Sequence, residues 1–212
     1  MTTLSEGSRL ASLNGILLGS SQTLTATGNA AIDGAFANQG TVNGPSGTDQ
    51  LLAFTGDVSG SGSYAGNFLF SDGFAPGNSP GTVSFAGTAV FDANSLIEME
   101  LAAGAHDRIE VDGLLTLGGG ALQVRYLGAF AAGSGDLFDL FDWGSLSGTF
   151  GVIRLPGLSD GLAWDMSQLY VDGSISVALV PEPETYALLL AGLGLLGFAA
   201  RRRRKQKWGS RK

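Results

Sequence analysis

The feature that most constrains this chain is its texture of short strands cut by turn dipeptides. Apolar or alternating runs of about four to six residues recur, among them Gly15–Gly19, Gln50–Phe54, Asn67–Phe70, Thr82–Phe85, Ala89–Phe91, Leu96–Leu101, Arg108–Val111, Leu114–Leu117, Ala121–Tyr126 and Ser174–Leu179. Residues 1–180 hold no convincing helical period. Period-2 alternation is clean in Ile97–Leu101, Arg108–Val111 and Ala121–Tyr126, which marks strands with one buried face. Between the runs stand Asn14-Gly15, Asp33-Gly34, Asn43-Gly44, Asp72-Gly73, Asp112-Gly113, Asp160-Gly161 and Asp172-Gly173. Such Asx-Gly pairs turn a chain at little steric cost. They fit hairpins, and they equally fit the corners of a β-solenoid. Strand-turn units recur every ten or so residues, so two or three would make one coil, but the repeat is degenerate.

Composition narrows the class. The 34 glycines are far above ordinary usage, yet 6 prolines and 44 % apolar residues argue against collagen-like or disordered chains. About 180 residues before the C-terminal segment suffice for one domain with a core. Charge is sharply divided. Before residue 201 the only basic side chains are Arg9, Arg108, Arg125 and Arg154, while all 19 acids precede Thr185. An acidic, lysine-free body excludes nucleic acid as its partner. With no cysteine, disulfides, thiol catalysis and cysteine metal sites are excluded as well.

The C-terminal segment has three parts. Pro181, Glu182 and Pro183 form an extended motif, because proline fixes φ and lacks a donor. An uncharged stretch over 186–200 follows, with Tyr186, Leu188, Leu189, Leu190, Leu193, Leu195, Leu196 and Phe198 as its large apolar residues. As a helix it is roughly 22 Å long, short of a ~30 Å hydrocarbon core, and flanking arginines or bilayer thinning can cover part of the gap. Arg201, Arg202, Arg203, Arg204 and Lys205 then form a stop-transfer run that stays cytoplasmic, which puts residues 1–180 across the membrane. Residues 206–212 are a tail.

This order of motif, apolar helix and arginine run resembles the PEP-CTERM sorting signal of Gram-negative bacteria. The resemblance implies an exported protein handled by an exosortase, a membrane-embedded cysteine protease, usually in exopolysaccharide-making organisms. Export also needs a signal peptide, and Met1–Ser20 does not qualify as one, so upstream coding sequence is expected to supply it. A second resemblance lies in the body. Ala75-Pro76-Gly77-Asn78-Ser79-Pro80-Gly81 looks like the Pro-Gly-x-Ser-Pro-Gly motif of autotransporter-type passengers, and the runs after it, through Gly135–Phe141 and Gly161–Gly173, follow that pattern. It implies an all-β fold, a right-handed parallel β-helix (β-solenoid) of about six or seven coils, followed by one short C-terminal transmembrane helix. Residues 1–45 match poorly and are expected as N-terminal strands or a cap. The solenoid is expected over 46–179 with an aromatic-rich C-terminal cap from about 138, and the sorting signal over 180–205. Ends of a solenoid need caps because each coil is buried only by its neighbours.

Candidates for chemistry are few. His106 has no nucleophile elbow to serve and reads as an exposed turn residue. Asp107, Glu110 and Asp112, then Asp136, Asp139 and Asp142, and Glu98 with Glu100 are the carboxylate clusters that glycoside chemistry would need, but alternation puts Glu98 with Glu100, and Glu110 with Asp112, on a solvated face. No calcium repeat, zinc pattern or dinucleotide loop is present. The sequence reading is therefore a non-enzymatic cell-surface or extracellular-matrix protein without cofactor or metal, transiently anchored in the inner membrane. Its partners would be exosortase, membrane and exopolysaccharide. The alternatives are a glycan-binding or polysaccharide-degrading β-helix with the same signal, and a permanently anchored periplasmic-face protein.

Overall fold

The computed structural model describes residues 1–77, 80–180 and 188–198. Its body is a parallel β-solenoid whose strands stack seven deep, about six turns from the first layer to the last. Three short strands make each of the first coils: β1 (Thr2–Leu4), β2 (Arg9–Ala11) and β3 (Ile16–Leu18), then β4 (Thr23–Ala26), β5 (Ala30–Asp33) and β6 (Phe36–Asn38), then β7 (Thr41–Asn43), β8 (Leu52–Phe54) and β9 (Val58–Gly60). Later coils fuse the first two faces into one long strand. They are β10 (Ser63–Phe70) with β11 (Gly73–Pro76), β12 (Thr82–Phe91) with β13 (Leu96–Ala102), and β15 (Arg108–Gly118) with β16 (Ala121–Tyr126), a short β14 (Ala105–His106) folding back on β13. After β17 (Leu137–Asp139), the last coil is β18 (Phe141–Thr149) with β19 (Val152–Arg154). β20 (Leu162–Asp165) and β21 (Ser174–Leu179) complete the body. The first 45 residues are solenoid coils in the same parallel register as the rest, with Thr2 opposite Leu24 and Ile16 opposite Phe36.

Fusion of faces has a local cause. β10 pairs with β7 through Ala65 and with β8 from Phe68 onward, bending between them at Gly66. Gly66 faces Gly87 in the next coil, and Gly113 and Gly144 continue the corner. A Cβ on Gly66, Gly87, Gly113 or Gly144 would strike the backbone carbonyl of the coil before it, so glycine lets the corners stack at contact distance. Asp112-Gly113, expected to be a turn between two strands, is such a corner inside β15.

The core is a set of ladders running down the solenoid axis. Ile32, Phe54, Phe70, Phe91 and Leu117 form one, and Leu24, Val42, Tyr64, Phe85 and Val111 another. Phe54 stacks on Phe70 at 5.2 Å, Phe70 on Phe91 at 5.0 Å, and Tyr64 on Phe85 at 4.8 Å between centroids. All are buried. Like-on-like stacking follows from parallel register, which sets equivalent inward positions one strand spacing apart. Burial pushes the Tyr64 hydroxyl above its ordinary range.

At the C-terminal end the direction of pairing changes. β17, β21 and β20 form an antiparallel three-stranded sheet with β21 in the middle. It buries Phe138, Leu140, Leu169, Ile175 and Val177.

Candidate functional site

The C-terminal segment leaves the body from the centre of that sheet. The Asp160-Gly161 turn, with Gly161 at φ +78°, starts β20 beside the end of β21, so that Leu162 faces Leu179. The Val180 N–H then donates to the Gly161 carbonyl at 2.9 Å. Trp164 beside it donates its indole N–H to the Pro156 carbonyl at 2.8 Å. Val180 is thus the last residue tied to the body before the expected motif. Pro181, Glu182, Pro183 and Tyr186 lie outside the described residues, as do Arg201, Arg202, Arg203, Arg204 and Lys205.

Residues 188–198 form a helix, α1. Leucine and alanine favour it, and no proline interrupts it. Its large residues Leu188, Leu189, Leu190, Leu193, Leu195, Leu196 and Phe198 are all 58–75 % exposed. A Cβ added at Gly192, Gly194 or Gly197 would meet open space, so among the described residues the helix packs against nothing in the body. Of the transmembrane helix expected over 186–200, the described part is 188–198. At 1.5 Å per residue the described helix spans roughly 16 Å, and among the described residues no helix is long and apolar enough to cross a membrane.

Residues 179–204 match the family model of the PEP-CTERM protein-sorting motif. The match begins on the last residue of β21 and takes in Pro181, Glu182, Pro183, α1 and Arg201–Arg204. This PEP-CTERM segment implies export to the cell envelope or surface and, in general, processing by an exosortase. No curated protein and no solved structure gives a significant match to the chain.

Most residues weighed for chemistry are held by the fold, while Asp112 is exposed and Glu100 Oε2 is buried without a hydrogen-bond partner. His106 is half-buried; its Nε2 lies 3.1 Å from the Asp139 carbonyl, and its ring meets Phe138 edge-on. With Phe130, Asp136 and Leu137 it lines a shallow cleft of about 260 Å³ between the β13–β14 hairpin and the chain before β17. Asp136 caps a turn, accepting from the Gly133 N–H at 2.8 Å. Asp139 and Asp142 converge instead on Arg108, at 3.0 and 3.2 Å, and Glu110 completes the cluster at 3.4 Å. Glu110 also accepts from the Ser84 hydroxyl of the coil above. Arg108 therefore ties the penultimate coil to the last coil and to the cap sheet. Glu98 pairs with Arg125 of the adjacent coil at 3.3 Å. Elsewhere Arg9 pairs with Asp33, which also accepts from Thr55. Hydrogen bonds from Thr55 and Arg9, with the Arg9 charge, lower the Asp33 carboxyl. Among the described residues no group of three or more acidic or histidine side chains is placed to hold a metal ion.

Sequence reasoning underrated Asp107. It is 1 % exposed and accepts from the Gly81 N–H at 2.7 Å and the Glu100 N–H at 2.8 Å. Burial pushes its carboxyl up to about 6, against the pull of those two hydrogen bonds. The signal was available: at period 2, Asp107 shares a face with Ile109 and Val111, and that face is the core. Its bond to Gly81 places the last residue of the Pro-Gly-x-Ser-Pro-Gly segment against the next coil; Asn78 and Ser79 within that segment lie outside the described residues.

Proposed function

We propose that this protein is an exosortase-processed structural or adhesive β-solenoid of the cell surface or extracellular matrix, without enzymatic activity. The observation that carries the reading is the sorting motif beginning on the last residue of the final body strand. The last tie to the cap is made by Val180, so the chain beyond it can be removed without losing a strand. The non-enzymatic part is supported by how the carboxylates are used: Asp107, Asp136, Asp139, Asp142, Glu98 and Glu110 each hold a backbone N–H or an arginine. During transit, α1 and the flanking residues would sit in the inner membrane with the arginine run on the cytoplasmic side. The exposed leucines of α1 favour that, since they have no cover in water. The surrounding polysaccharide is the proposed setting for the acidic body.

Intact-mass analysis of the protein from an exosortase-bearing host and from its exosortase deletion strain tests this. The parent strain is expected to yield a surface or supernatant species lacking Arg201–Arg204, and the deletion strain a membrane-held species that keeps them. Identical masses in both strains would overturn the processing reading. Alanine substitutions at Glu110 with Asp112, and at Asp136 with Asp139, are expected to leave turnover of the host's exopolysaccharide unchanged. Loss of turnover from a folded variant would make the protein an enzyme.

A further inference from the structure

The chain holds two Asn-Gly dipeptides, and the fold treats them in opposite ways. Asn43-Gly44 closes β7, and the Gly44 N–H donates to the Ala65 carbonyl of the next coil at 2.7 Å. Asn14-Gly15 sits at the corner between β2 and β3. Ala11 faces Asp33 and Ile16 faces Phe36, so four residues fill this corner where the coil below uses only Gly34 and Ala35. The surplus bulges outward: Leu13 is fully exposed and Asn14 is exposed. The turn is closed by the Ser12 hydroxyl donating to the Gly15 carbonyl at 2.8 Å, while the Gly15 N–H has no hydrogen-bond partner among the described residues. Gly15 sits at φ +79° and carries no side chain beside that nitrogen.

We propose that Asn14 is a site of spontaneous deamidation in the folded protein, and that Asn43 is not. The Gly15 amide loses its proton to base, and its nitrogen attacks Cγ of Asn14. The Cγ–Nδ2 bond breaks, ammonia leaves, and a five-membered succinimide closes. Water then opens either imide carbonyl, giving aspartate or isoaspartate, with no oxidation or reduction. At Asn43 the same attack requires Gly44 to leave its ladder bond first, a local opening that lowers the reactive population. The product at residue 14 carries a new carboxylate on an already acidic surface. An isoaspartate there lengthens the backbone in a bulge outside the ladder, since pairing resumes at Ile16.

The test incubates the full chain at mildly alkaline pH and follows each dipeptide by peptide mass spectrometry, beside a urea-unfolded control. In the native protein Asn14 is expected to convert at close to its unfolded rate, and Asn43 at least about tenfold more slowly than in the control. N14Q is expected to remove the fast part of the native-state mass gain, and the Asn14 rate to rise with pH. Equal native rates at the two sites, or an Asn14 as protected as Asn43, would overturn the proposal. N14D, which carries the product side chain, should melt with the parent; a large drop in its melting temperature would show that the bulge is structural and the site closed.

Discussion

Two truncations separate the body from its C-terminal segment. Ending the chain after Val180 removes α1, whose apolar side chains are 58–75 % exposed and cover nothing in the solenoid. Ending it after Gly173 removes β21 as well. That strand buries Ile175 and Val177, 1 % and 3 % exposed, and pairs with both β17 and β20. Burying one such side chain is worth about 1.5–3 kcal/mol, so losing the pair costs about 3–6 kcal/mol before the uncovering of Phe138 and Leu140 is added. That is a large part of the roughly 5–15 kcal/mol that holds a domain together. For a body of this size each kcal/mol shifts melting by about 2–4 °C, so the shorter chain should melt roughly 10 °C lower or fail to accumulate. The longer one should match the full chain. Thermal melts by circular dichroism, with intact mass to confirm the ends, decide the matter. If the Val180 truncation lowers melting as much as the Gly173 truncation does, the C-terminal segment is part of the folded body. The reasoning about a closed cap then fails.

Two further predictions concern the body. Gly87 and Gly104 both have positive φ, but a Cβ on Gly87 would lie far inside 3.0 Å of the Gly66 carbonyl, whereas one on Gly104 meets nothing. Gly104→Ala should cost about 1–2 kcal/mol from backbone strain alone, and Gly87→Ala at least about 2 kcal/mol more, read by chemical denaturation; equal costs would remove the corner-stacking argument. Asp107 gives a pH signature: its folded carboxyl at about 6 lies above its ordinary 3.8, so the folded state takes up the proton first and its contribution to stability rises as pH falls from 6 towards 4. Relative to Asp107→Asn, which does not titrate, the parent should gain on the order of 2–3 kcal/mol across that window, measured by denaturation at each pH; a flat difference would mean the carboxyl is not desolvated.

Much of the strand content was legible because alternation reports burial directly. Ala121–Tyr126 is β16 from end to end, and Ile97–Leu101 lies within β13. Turn dipeptides were less faithful. Asp72-Gly73 does separate β10 from β11, yet Asp112-Gly113 is a bend inside one strand, because a glycine corner can turn the chain while the ladder bonds continue on either side. The aromatic ladders were hidden because coils differ in length: Phe54 pairs with Phe70 in one coil, and Phe91 with Leu117 in another. No fixed sequence period connects those positions. The carboxylate clusters misled for a related reason. Neighbours in sequence such as Asp136 and Asp139 serve different partners, while Arg108, Glu110, Asp139 and Asp142 meet only once the last coil is stacked. The sorting segment needed no register at all, since its order of residue types is its signal.

The position of β21 also decides how the body bears a load. A pull on the chain beyond Val180 runs along β21, which lies antiparallel between β17 and β20. Force directed along a central strand loads its cross-strand hydrogen bonds together in shear, whereas a peripheral hairpin would be peeled open one bond at a time. Behind that sheet, Arg108 passes part of the stress through Asp139 and Asp142 into the penultimate coil. A load applied through the C-terminus, by flow or by a gel, would thus meet strands that must shear together rather than peel.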